Sequence, residues 1–107
     1  MSSKVAVVLM TAPNEENAAA IARTLVEEKW IACANLVPQV RSIYRWEAQI
    51  CDEREVLVVM KTAADFEALK ARVVSMHPYT VPELLKLEVV EGHTPYLDWV
   101  MGASRGA

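Results

Sequence analysis

Apolar and polar positions follow two rhythms along this chain, and the breaks between them mark its elements. Val5 to Met10 is a continuous apolar run with β-branched members, which predicts a buried strand. Thr11-Ala12-Pro13-Asn14 breaks the run, and Asn14 is a good helix cap. Ala18, Ile21, Ala22 and Leu25 then recur at helical spacing, so a helix is expected to about Lys29. Ala32 to Trp46 reads as a strand kinked at Pro38, which fixes φ and donates no hydrogen bond. Beyond the kink, Val40, Ser42, Tyr44 and Trp46 alternate with Arg41, Ile43 and Arg45. A polar tip over Glu47 to Asp52 leads into a returning strand from Glu55 to Lys61, which makes an unusually long hairpin.

Thr62 and Asp65 stand three apart, a weak capping pair for a second helix lined by Phe66, Leu69, Val73 and Met76. His77-Pro78 ends that helix, because the residue before proline avoids the helical region. Tyr79 to Glu83 is a connector, and Leu84 to Val90 a fourth strand. A short third helix is expected to open with Thr94 as cap and Pro95 at its first position, and to stop at Gly102. The order β-α-β-β-α-β plus a terminal helix is the split βαβ, ferredoxin-like arrangement of an α+β domain. At 107 residues the chain is one domain, with an ordered core of about 4–102 and a frayed tail from Ala103.

The strand patterns say something more. A sheet covered on one face should alternate apolar and polar residues. The first and third strands are apolar on both sides, as Val7 and Leu9 oppose Ala6, Val8 and Met10. Two helices and a short third cannot cover both faces. With Tyr44 and Trp46 placed on the overlong hairpin, the pattern implies a homo-oligomer with these aromatics at the interface.

Acidic residues outnumber basic ones, 14 to 11, for a net charge of −3, which speaks against nucleic acid. The N-terminal apolar run is too short for an export signal or a membrane span, and two cysteines make no disulfide framework. A cytoplasmic protein without membrane or nucleic-acid partners is expected. The first strand–helix loop carries no Cys-x-x-C, and the three glycines form no phosphate loop. No Ser-His-Asp order or paired carboxylate is legible, so no enzyme is expected. Cys33 is either a small buried hydrophobe or a soft metal ligand. His77 either suits a helix C-terminus or serves as a ligand, and Glu83 is either a solvated charge or a ligand. Cys51 near the tip reads as an incidental thiol.

Taken together, Ala32-Cys33-Ala34-Asn35, Ser42-Ile43-Tyr44-x-Trp46, Lys61-Thr62, His77-Pro78-Tyr79-Thr80-Val81-Pro82-Glu83 and Tyr96-Leu97-x-Trp99 resemble the CutA family of divalent-cation tolerance proteins. The resemblance runs in order from about Val5 to Val100. It implies a ferredoxin-like subunit assembled as a trimer through its sheets, similar in shape to the PII signalling proteins. It further implies a divalent metal, copper foremost, with Cys33, His77 and Glu83 at the positions of the family's cysteine, histidine and glutamate. Some bacterial members carry another cysteine where this chain has Met10, and a thioether cannot become a thiolate. The alternative implied function is a PII-like regulator that takes a small molecule or a protein in its inter-subunit clefts.

Overall fold

The computed structural model describes residues 4–105. The elements are β1 (Ala6–Ala12), α1 (Glu15–Glu27), β2 (Cys33–Trp46), β3 (Gln49–Thr62), α2 (Phe66–Met76), β4 (Leu84–Glu88) and α3 (Thr94–Ala103). The four strands form one antiparallel sheet in the order β2-β3-β1-β4. This is the expected α+β, ferredoxin-like arrangement with a terminal helix.

One face of the sheet is dry. Val8 and Met10 of β1 and Val58 and Met60 of β3 are fully buried against Leu25 of α1 and Leu69 and Val73 of α2. Each such side chain stabilises the fold by about 1.5–3 kcal/mol relative to exposure. A smaller cluster of Val5, Ala32 and Val100, with Leu97 and Met101, lets α3 close one end. The opposite face meets a helix only at its Val5–Cys33 end, where α3 packs. Val7, Leu9, Leu57 and Val59 are half-buried there, and Leu85 and Leu87 of β4 are each 52% exposed. The register places Leu87 beside Val7 and Leu85 beside Leu9, so these residues form a continuous apolar patch.

The local chemistry explains the element ends. Asn14 caps α1 by accepting from the Asn17 N–H at 2.8 Å. Asp65 alone caps α2, accepting from the Ala68 N–H. Thr62 is instead the last residue of β3, and its hydroxyl donates to the Trp30 carbonyl at 2.6 Å. The polar tip is shorter than its composition suggests. Only Glu47 and Ala48 turn, both with positive φ (50° and 65°), and β3 resumes at Gln49. Two left-handed residues in succession match the twist of the flanking strands. Pro38 does not end β2; it sits in a bulge where the register shifts between Val37 and Val40, and Gln39 takes up the extra residue at φ 58°.

In α3, Thr94 lies inside the helix and His93 holds the cap position without a side-chain bond. Gly102 does not end the helix, which runs through Ala103. The tail from Ala103 is tied down as far as residue 105. Ser104 is buried and accepts from the Ala63 N–H, and the Arg105 guanidinium donates to the Glu28 carbonyl and stacks 4.0 Å from the Trp30 ring centroid. Residues 106 and 107 of the expected frayed tail lie outside the described residues.

Candidate functional site

His77 occupies the C-cap of α2, and its ring turns inward until only 8% of the residue is exposed. Its Nδ1 lies 3.0 Å from the Tyr79 N–H, and its Nε2 lies 2.8 Å from the Thr11 carbonyl oxygen. A backbone N–H only donates, so Nδ1 carries the lone pair. Nε2 therefore bears the proton and donates to Thr11. Both ring nitrogens are spent on backbone, and the ring ties the 78–83 connector to the end of β1.

Tyr79 follows from that anchor. Its hydroxyl donates to Glu55 Oε2 at 2.7 Å. Across the hairpin, the Tyr44 hydroxyl donates to Glu53. Glu53 and Glu55 stand two apart on β3 and so share a face with Ser42, Tyr44 and Trp46 of β2. Burial, and then the hydrogen bond to Glu55, push the Tyr79 phenol well above its ordinary range. The Tyr44 phenol is pushed up as well, first by its bond to Glu53. The hairpin and the connector enclose an open cleft of about 810 Å³, with Thr11 and Glu55 in its lining and Glu83 among the connector residues around it. Arg41 also lines it, and Asp52 grips that guanidinium through two bonds of 2.9 and 2.7 Å. The pairing raises Arg41 and lowers Asp52 relative to their ordinary values.

Cys33 sits elsewhere. It pairs with Lys61, which in turn pairs with Val7 of β1, four residues from the Thr11 carbonyl that His77 holds. That is roughly 13 Å along the strand, and β2 lies two strand spacings, roughly 10 Å, from β1. The Cys33 thiol is half-buried and lies 3.5 Å from the Tyr96 hydroxyl of α3. The bond to Cys33, with some burial, raises the Tyr96 phenol. His77 and Glu83 thus share one end of the sheet, and Cys33 occupies the other. Among the described residues of one chain, no three His, Cys, Asp or Glu side chains converge as a metal group. A single subunit therefore does not supply the Cys33–His77–Glu83 set.

Trp46 and Tyr44, expected at an interface, are 51% and 38% exposed on the hairpin. They extend the face that carries Leu85 and Leu87. Glu55 was not singled out from the sequence. Its signal is present in retrospect, as it takes the same alternate positions as Leu57 and Val59 at the edge of an apolar run. The ring contacts of His77 were not legible, since Thr11 lies 66 residues away.

Residues 6–103 match the family model described as CutA1 divalent ion tolerance protein. A divalent-cation tolerance protein CutA of Thermus thermophilus is 50% identical over 95 residues, covering 88% of this chain and 92% of that protein. A solved structure of a divalent cation tolerance protein (Cut A1), also from Thermus thermophilus, superposes with a TM-score of 0.88 at 47% identity, covering 94% of this chain and 98% of that chain. A solved structure of the periplasmic divalent cation tolerance protein CutA from Archaeoglobus fulgidus superposes with a TM-score of 0.88 at 32% identity, covering 92% of this chain and 97% of that chain. Protein CutA of Mus musculus is 45% identical over 97 residues, covering 90% of this chain, which spans only 55% of the mouse protein's length.

Proposed function

The chain belongs to the CutA1 divalent ion tolerance family, and from that premise we propose that it is a homotrimer that binds a divalent metal ion, copper foremost, and contributes to tolerance of that ion. The observation that carries the assembly is the sheet face turned away from α1 and α2, with Leu85 and Leu87 half exposed, continued by Tyr44 and Trp46. Three copies around a closed axis would bury it. The same assembly is how separated donors can meet. Cys33 of one subunit, as thiolate, would join His77 and Glu83 of another, a donor set suited to copper or zinc. For His77 to ligate through Nδ1, its ring must release the Tyr79 N–H. We read the protein as a binding protein and not an enzyme. Two free thiols suit a reducing compartment, so we place it in the cytoplasm. No helix among the described residues is long and apolar enough to cross a membrane.

Isothermal titration of metal-free protein with Cu(II) and Zn(II) tests the metal. Cys33→Ser and His77→Ala should each weaken copper binding, and acid should weaken it further as protons compete for the donors. If both variants bind copper like the parent while Cys51→Ser loses it, the metal was held by the half-buried tip thiol and the reading fails. A second reading, a PII-like regulator that takes a small molecule, is favoured by one observation: the cleft is far larger than a metal ion needs.

A further inference from the structure

We infer that α3 is a latched cover over Cys33. The tail residues Ser104 and Arg105 clasp the end of α1, and through the helix between them this clasp holds Tyr96 against the Cys33 thiol. Opening the clasp exposes that thiol to soft metal ions and to thiol reagents. Because Cys33 is a proposed ligand, the cover's role in metal uptake rests on the metal reading and deepens it.

The clasp follows from how α1 ends. Lys29, just past the cap residue Glu28, takes a left-handed φ of 65°, and the Lys29 and Trp30 N–H groups bond back to the Val26 and Leu25 carbonyls. That motif leaves the Glu28 and Lys29 carbonyls outside the helix's own bonds, at the negative end of its dipole. No basic side chain stands in the last turn of α1. Arg105 supplies one from 77 residues away. Its N–H donates to the Lys29 carbonyl at 2.6 Å, its Nε to the Glu28 carbonyl at 3.0 Å, and its guanidinium stacks on Trp30. The Glu28 carboxylate fixes this receiving surface. It accepts from Trp30 Nε1 at 3.2 Å and from Arg72 of α2 through two bonds of 2.8 Å. Ser104 adds a buried link, accepting from the Ala63 N–H at 3.0 Å and donating to the Val100 carbonyl at 2.7 Å.

The seating of α3 depends on this clasp. Its start has no side-chain cap, and its buried packing is the small cluster of Val5, Ala32 and Val100, apart from the main core. Few buried apolar contacts make an element open locally at low cost. Tyr96 stands near that weakly held start, roughly 12 Å along the helix from Ser104. Its hydroxyl lies 3.5 Å from the Cys33 Sγ. One end of α3 therefore carries the contact to the thiol, and the other end carries the clasp. Each of these contacts is made within one chain. The clasp joins α3 to α1 and α2, on the side away from the sheet face that the proposed trimer closes, so assembly leaves it in place. Tyr96 must yield before Cys33 can join donors of a second subunit, and release of the tail is what lets it yield.

Alkylation by iodoacetamide of the full chain carrying Cys51→Ser, which leaves Cys33 as its single thiol, tests the inference. Arg105→Ala in that background should raise the Cys33 rate at least about tenfold, since reaction follows the population of the opened form. Lys70→Ala removes a surface cation of α2 that pairs with Glu67 outside the clasp, and should leave the rate unchanged. Tyr96→Ala should react fast by itself, and adding Arg105→Ala to it should bring no further gain, because both changes act on the same cover. Hydrogen exchange separates opening of α3 from general loosening. With Arg105→Ala the α3 amides should exchange faster while those of β1 and β3 keep their parent rates. An unchanged alkylation rate in Arg105→Ala, an additive gain in the double variant, or faster exchange throughout the chain would overturn the inference. Fast alkylation beside a flat copper titration would uphold the cover and remove the metal reading alone.

Discussion

His77 behaves as a strut between two backbone segments, and its removal should show as lost stability before anything else. Replacing it with alanine deletes two hydrogen bonds and strands the Thr11 carbonyl in a buried site, so His77→Ala should cost about 2 kcal/mol in urea denaturation. An unchanged midpoint would mean that the ring carries no such load. The three phenols give a second expectation at this scale. Tyr44, Tyr79 and Tyr96 are all raised, so as pH rises the unfolded chain releases its phenolic protons first. The stability they contribute is fully present below the ordinary tyrosine value, about pH 10, and is lost as pH climbs above it. Tyrosinate absorbance of the folded protein should rise at higher pH than in the urea-unfolded chain, and coincident curves would contradict this. Residue types were legible from the sequence here, but partners were not. Cys33 and His77 could be named as candidate ligands, yet their separation in one chain depends on strand register, which no local pattern specifies. Tyr79 read simply as a large aromatic, because its partner Glu55 lies 24 residues away.

Among the elements, the β2–β3 hairpin departs furthest from its sequence signals. Its turn lacks the Asn-Gly or Asp-Gly pair that usually marks two left-handed residues, so Glu47 and Ala48 blended into a longer polar tip. Ala48 has φ 65° and bears a Cβ, an arrangement that costs about 1 kcal/mol relative to glycine. Ala48→Gly should therefore raise the thermal midpoint, and Ala48→Val should lower it. Helix starts were easier to read. Asn14 was found because a side-chain acceptor before an apolar periodicity is a local signal. Thr62, three residues before Asp65, imitated that signal but belongs to β3, where strand pairing with Ala6 claims its backbone. Trp46 tests the hairpin's outward role. Trp46→Ala should weaken assembly by about 2 kcal/mol if the ring packs on a neighbour, measured as the concentration at which the oligomer dissociates. Dissociation at an unchanged concentration would make Trp46 a solvated surface residue.

For the whole molecule, the sheet's two faces carry the argument. The apolar character of both sides of β1 and β3 was visible as an absence of alternation, and the register shows why it matters. Val7, Leu9, Leu57, Val59, Leu85 and Leu87 fall on the face turned away from α1 and α2. The proposed cover for that face, closure of several chains around an axis, is not a property that any local pattern of one chain can specify. In the proposed trimer, Leu87→Asp would place a carboxylate in a buried interface at a cost of several kcal/mol, and should leave a folded but dissociated chain. Native mass spectrometry of the protein, metal-free and after addition of Cu(II), tests assembly and metal binding together. The expected spectrum is a single species at three times the 11.9 kDa chain mass that gains copper without changing its number of chains. A folded species at the mass of one chain, or a trimer that takes up no copper, would contradict it.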